Sequence, residues 1–273
     1  MVNLDYPESR IATDLQFQYP TGLARLGDDL YAAEQNLRGV HRFLANGASW
    51  PRGSLKKFMV KSSVGSMDAD ESSRIESALG VAAGDGMIFI ADVTAYRVIA
   101  FNRLLSRRLW TTGQSSVDWP HGRKCTVRPE RTGSFQGPSC FNPHGLAWSP
   151  RHGGRLFVAD ADNNAIIVLD ATSGTHVRTV YGSAASFDTP RGVAITPTGA
   201  LLVSERMRVL LLSPNGRKRL AELAIPAARN MLGISVDGHR AYVADPGAGH
   251  IFVLELRERE ATAVEERLSK ELR

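Results

Sequence analysis

Cysteine is scarce in this chain: two residues, Cys125 and Cys140, in 273. That excludes the dense disulfide framework of a small secreted scaffold, and neither cysteine stands in the Cys-x-x-Cys spacing of a structural zinc site. Both lie in one segment, where a loop-closing disulfide and a pair of reduced thiols stay open as readings. Long apolar runs are missing as well. No stretch approaches the ~18 continuous apolar residues of a helical membrane span. The opening MVNLDYPESR lacks the apolar core of a secretory signal, so the reading is a cytoplasmic or a mature organellar chain. Charge of one sign is modest: 33 bases against 28 acids give +5, below the density of a dedicated nucleic-acid protein. There is no Gly-x-Ser-x-Gly elbow and no phosphate-cradling glycine loop. Nothing in the pattern asks for a cofactor.

What the chain does have is repetition. Five times a residue-plus-glycine opening leads, roughly a dozen positions later, to an acid that ends an apolar run. The openings are Thr21-Gly22, Leu79-Gly80, His144-Gly145, Arg191-Gly192 and Leu232-Gly233. The acids are Glu34, Asp92, Asp160, Glu205 and Asp245. After each acid come a turn and another apolar run. The runs are short, rich in branched and aromatic residues, and bounded by Gly, Asp, Asn or Pro, which argues strand over helix. In the third unit, Gly145 to Trp148, Leu156 to Ala159 and Ile166 to Leu169 read as strands, with Ser149 to Gly154 as turn.

Many short strands in a long, regular repeat predict an all-β propeller, with blades that are small antiparallel sheets about a central channel. An apolar content of 43% is ample for such a core in one domain. The arithmetic gives five recognisable blades over residues 1–256, with a sixth, degenerate blade left open. Steps longer than the shortest, Gly192 to Gly233, predict insertions at about 62–77 and 111–142. The alternating segment Ile11 to Phe17 is expected to supply the outer strand of the last blade and so cover an edge. Residues 257–273 hold five bases and five acids, with Ala261, Val264, Leu268 and Leu272 on one helical face and a Glu266–Lys270 pair. They read as an amphipathic helix, packed on its own propeller or docking a partner.

The segments IADVTAYRVIAF, FVADADNNAIIVL and YVADPGAGHIFVL, and more loosely SERMRVLLL and AAEQNLRGVHRF, resemble the NHL-repeat β-propellers over about residues 20 to 256. The resemblance implies the fold. That fold hosts RNA binders, protein scaffolds, lyases and hydrolases, so it does not choose a function.

The repeated acids read as structural. A carboxylate there can accept backbone N–H bonds of the next turn or pair with a nearby arginine, as Asp92 with Arg97 and Glu205 with Arg208. Asp160-Ala-Asp-Asn-Asn164 lacks the glycine and distal glutamate of a calcium loop. The residues before the glycines, Thr21, Leu79, His144, Arg191 and Leu232, are expected to line the channel mouth. That ring is a poor metal cage, and no metal is expected; Arg191 and His144 could hold a small anion. Pro143-His144-Gly145 resembles one zinc-ligand opening of the peptidyl-amidoglycolate lyases. Pro120-His121-Gly122 repeats the tripeptide without a following strand. Glu34, Asn102 and Asn142 would be the candidates under a gluconolactonase-like reading.

From Arg103 to Arg131 there are seven bases and two acids, with Trp110 and Trp119 interleaved and Phe135 close by. Arg107, Arg108, Trp119, Arg123, Lys124 and Arg128 are therefore the expected contact residues of a non-enzymatic interaction module that docks a macromolecular partner, most readily another protein. The alternatives are an RNA-binding propeller, through phosphate neutralisation and stacking, and an enzyme at the channel mouth.

Overall fold

A computed structural model of the chain describes residues 19–35, 39–44, 59–64, 75–113, 142–181 and 187–256. Five antiparallel sheets make a five-blade β-propeller. Blade 1 is β1 (Pro20–Leu26), β2 (Asp29–Glu34), β3 (Gly39–Leu44) and β4 (Met59–Val64). Blade 2 is β5 (Ala78–Gly84), β6 (Met87–Asp92), β7 (Arg97–Asn102) and β8 (Arg108–Gly113). Blade 3 is β9 (Pro143–Ser149), β10 (Arg155–Asp160), β11 (Ala165–Asp170) and β12 (His176–Tyr181). Blade 4 is β13 (Gly192–Ile195), β14 (Leu201–Ser204), β15 (Arg208–Leu212) and β16 (Arg219–Ala224). Blade 5 has three described strands, β17 (Ile234–Asp237), β18 (Arg240–Asp245) and β19 (His250–Glu255). Strands within each blade pair in sequence order.

Two expected boundaries move. Residues 62–64 belong to β4 and residues 111–113 to β8, so the first residues of both expected insertions are blade. These fourth strands are short and carry polar residues, as RLWTTG does, and so lack the apolar signature of the inner strands. The segment Ile11 to Phe17 and the expected helix at 257–273 lie outside the described residues.

The sheets stack face to face through apolar clusters. Tyr31 and Val40 of blade 1 pack on Ile88, Ile90 and Ile99 of blade 2. Phe89 and Val98 pack on Leu156 and Ile167, Phe157 and Ile166 on Leu201 and Leu210, and Leu202 and Val209 on Ala241 and Val243. Blades 2, 3 and 4 therefore bury both faces, and their inner strands read as apolar runs; β6 is buried at all six positions. The innermost strands lean on one another in the order β1, β5, β9, β13, β17.

Glycine is required at this inner seam by proximity. A side chain on Gly22, Gly80, Gly145 or Gly192 would come within 3.0 Å of the carbonyl oxygen of Leu79, His144, Arg191 or Leu232 of the next blade. Gly233 of blade 5 has nothing within 4 Å. Among the described residues the ring thus makes four blade-to-blade steps and leaves the fifth open.

The open step shows in exposure. Register puts Ala159 opposite Ile166 in blade 3 and Ala244 opposite Ile251 in blade 5, so these pairs occupy equivalent places on the face turned toward the following blade. Ile166 is 0% exposed and Ile251 67%. Val253, beside Tyr242 on the same face, is 49% exposed, and Leu23 on β1 of the first blade 68%.

Candidate functional site

All five inner strands begin at one end of the propeller, here the mouth end, and the five repeat acids close the second strands there. Each acid is buried to 0–1% exposure. Their principal partners are backbone N–H groups just ahead of the inner strand of the same blade. Glu34 accepts from Tyr19 N at 2.8 Å, and Asp92 from Ser77 N at 2.9 Å and Glu76 N at 3.1 Å. Asp160 accepts from Asn142 N at 3.1 Å, and Glu205 from Asp188 N at 2.7 Å. Asp245 accepts from Arg229 N at 2.7 Å and Asn230 N at 3.0 Å. Each carboxylate therefore staples the second strand to the start of the first, and charge-assisted bonds make the staple strong. The arginine pairs also form: Arg97 donates from Nε to Asp92 at 3.0 Å, and Arg208 pairs with Glu205. The N–H partners are 15 to 18 positions upstream, beyond any local turn rule.

These environments shift the acids differently. Burial pushes Asp160 up to about 6, against the Asn163 side chain and the backbone N–H bonds that oppose it. Burial also raises Glu205, with Arg208 opposing. For Asp245 burial works upward, but N–H bonds led by that of Arg229 outweigh it and hold the group below its ordinary value.

The five residues before the repeat glycines are each partly buried at the mouth end. Thr21 donates from Oγ1 to Ala78 O at 2.9 Å, which ties blade 1 to blade 2, and Ser204 Oγ donates to Leu232 O at 2.8 Å. Leu79 and Leu232 present carbonyls to the neighbouring glycine. His144 and Arg191 stand on adjacent blades. Burial, then the Arg191 guanidinium, lowers His144 to about 4, with Asp162 opposing, so the imidazole is neutral near pH 7. Arg191 donates from Nη1 to Asn230 Oδ1 at 2.8 Å, and Asn230 is itself fixed through Asp245. Arg191 Nε and Asn142 Oδ1 are buried without a hydrogen-bond partner among the described residues. A neutral imidazole and a guanidinium with a spare donor can bind a small carboxylate or another anion. Among the described residues no three His, Cys, Asp or Glu side chains gather as a metal set. Of the gluconolactonase-like candidates, Glu34 is committed to Tyr19 N and Asn102 to Ser106 N and Arg107 N, so neither is free for a metal.

Strand direction separates the expected basic contact residues. Arg107 and Arg108 are exposed at the start of β8, at the end of the propeller opposite the mouth. The chain leaves the other end of β8 at Gly113, about 17 Å away along the strand. Trp119, Arg123, Lys124, Arg128, Cys125, Cys140 and His121 lie outside the described residues.

No family model matches the chain, and no curated protein matches its sequence. Solved structures match its fold. A nidogen/laminin complex superposes with a TM-score of 0.58 at 15% identity, covering 87% of this chain and 76% of that one. Glutaminyl cyclase from Myxococcus xanthus superposes with a TM-score of 0.53 at 12% identity, covering 86% of this chain and 89% of that one. At such identities the likeness speaks for the propeller fold and not for a shared activity. No helix among the described residues is long and apolar enough to cross a membrane.

Proposed function

We propose that this propeller is a protein-docking module of the NHL type, a scaffold that works as a subunit of a larger complex. The observation that carries this reading is the face of blade 5 that no other described residue covers. The equivalent faces of blades 1 to 4 are sealed by the next blade, while Ile251, Val253 and Tyr242 face an open step with Leu23 on the first blade. Exposed apolar side chains in one row, flanked by the Arg240–Glu255 pair, suit a protein partner. The basic segment 111–142 would add charge steering and anchoring aromatics through Arg123, Lys124, Arg128 and Trp119, and Arg107 and Arg108 would form a separate contact.

The test is isolation of the native chain with whatever binds it stoichiometrically, followed by two variants. Ile251→Asp and charge reversal at Arg123, Lys124 and Arg128 should each weaken the complex by at least about tenfold while the thermal transition stays in place. A native chain that runs alone, or a complex indifferent to both variants, overturns the reading. If RNA is what co-purifies, its affinity should fall steeply with salt.

The unpaired Arg191 Nε beside neutral His144 supports a second reading, a small-anion or enzyme site at the mouth. Stoichiometric metal in the native protein, or a bound carboxylate lost in Arg191→Gln, would favour it.

A further inference from the structure

At the end opposite the mouth, blades 3 and 4 meet along a groove lined by cations. Arg178 on β12 stands in the row of Val168 and Phe157, which places it on the blade 3 face that packs against blade 4. Two positions along, Val180 touches the β15–β16 turn: a side chain on Gly216 would come within 2.9 Å of its methyl. Arg217 is exposed in that turn. On the inner side, the 3-10 turn Pro150–His152 leans on blade 4, where a side chain on Gly199 would come within 3.6 Å of the His152 ring and 3.9 Å of Arg151 Cδ. This brings Arg151 into the same groove. Arg155 lies on the same sheet face as Arg178.

Glu222, opposite Leu210 on the blade 4 face turned to blade 3, is taken up by Arg208 and Arg219; the carboxylate paired within the four guanidinium groups is that of Asp170. It is already occupied: it accepts from Thr172 N, Ser173 N and Ser173 Oγ, each at 3.1 Å, and pairs with Arg155. Arg151, Arg178 and Arg217 make no ion pair among the described residues. Burial, then Arg217 and Arg155, holds Arg178 below the ordinary arginine value. The same crowding acts on His152, where burial leads and Arg178 and Arg151 add to the lowering. Such like-charge packing costs free energy that a bound anion would remove.

We propose that this groove binds a phosphoryl dianion, with Arg178 and Arg217 as its two guanidinium ligands from adjacent blades and Arg151 and Arg155 beside them. A carboxylate is satisfied by a single fork; a phosphoryl group offers three oxygens and nearly two charges, which matches two forks. The three turns around the groove, 150–154, 171–175 and 213–218, carry no phenylalanine, tyrosine or tryptophan, so there is no broad platform for stacking bases, and a monoester suits the site better than a nucleic-acid strand. This site is on other blades than the surfaces invoked for the docking reading, so either can fail alone.

The test uses the full chain titrated with inorganic phosphate, a phosphoserine peptide, the same peptide unphosphorylated and a single-stranded RNA. The expected result is binding of phosphate and phosphopeptide, no binding of the unphosphorylated peptide, and a loss of about tenfold or more in Arg178→Gln and in Arg217→Gln. Arg240→Gln, exposed on blade 5, serves as the control and should change nothing. Tighter binding of the phosphopeptide than of phosphate assigns the group to a protein partner; equal binding assigns it to a small molecule. Absence of phosphate-dependent binding at millimolar ligand overturns the proposal, as does binding that survives in both variants, or RNA that outcompetes both ligands at the same arginines.

Discussion

The carbonyl oxygen of His144 occupies the space that a side chain on Gly80 would need. One step on, Arg191 O stands in the same relation to Gly145 and accepts its N–H at 2.8 Å. Blade-to-blade packing is therefore backbone on backbone at the inner seam, where neither partner can swing aside. Gly80→Ala should destabilise the protein by ~2 kcal/mol or more, an overpacking cost in a rigid setting. Gly233→Ala, with open space at the same place in blade 5, should be close to neutral. Chemical denaturation of the two variants checks this, and equal costs would mean that the fifth step is closed.

Two groups at the mouth end give pH slopes of opposite sign. Asp160 is raised from 3.8 to about 6, so its contribution to stability is fullest below 3.8 and is lost as pH rises through about 6. His144 is lowered from 6.5 to about 4, so its contribution is present above 6.5 and is lost as pH falls through about 4. Relative to the parent, Asp160→Asn should become steadily less destabilised, or more stable, from pH 4 to pH 6. His144→Gln should show the reverse trend. Thermal melts across that range decide it; parallel curves for the two variants would refute at least one of the assignments, and two flat curves both.

The paired positions Ile166 and Ile251 measure how far the ring is open. Ile166→Ala should cost 2 to 5 kcal/mol, roughly the range for a buried isoleucine. Ile251→Ala should stay within about 0.5 kcal/mol, as for an exposed site. A large cost at Ile251 in the isolated chain would show that another part of the same molecule covers blade 5.

Asp29 ties the far ends of blades 1 and 2 together. Its buried carboxylate pairs with Arg42 at 3.1 Å and with Arg103 of blade 2 at 2.6 Å, and Tyr31 OH donates to Arg103 O at 2.8 Å. Asp29→Asn would leave Arg42, 13% exposed, without its counter-charge. We expect a loss of about 3 kcal/mol, partly restored by adding Arg42→Met. A double variant no better than the single one would show that the pair is not what the carboxylate serves.

The fold was legible because each blade repeats two signals, a glycine, which in blades 1 to 4 meets a neighbour's carbonyl, and an acid that staples two strands. The reason for either signal was not. Nothing local marks Tyr19 N as the partner of Glu34, since the contact exists only after the sheet has folded. The outer strands β8 and β12 were harder to read, because RLWTTG and HVRTVY have no buried run to announce them. The basic stretch looked like one patch in the sequence, yet strand direction puts Arg107 and Arg108 at the opposite end from the segment that follows Gly113. Arg155, Arg178 and Arg217 are spread over three elements and gave no sequence signal. Only register and blade packing bring them together.

A closed ring must break at both flanking seams before any blade can leave, whereas an arc can fray one sheet at a time. Because blade 5 leans on blade 4 alone among the described residues, its amide protons should exchange with solvent well before those of β6 and β10, through partial openings that leave the central blades intact. Whatever seats itself against Ile251 and Val253 would then act as a lock washer, converting a sequence of small local melts into a single cooperative transition.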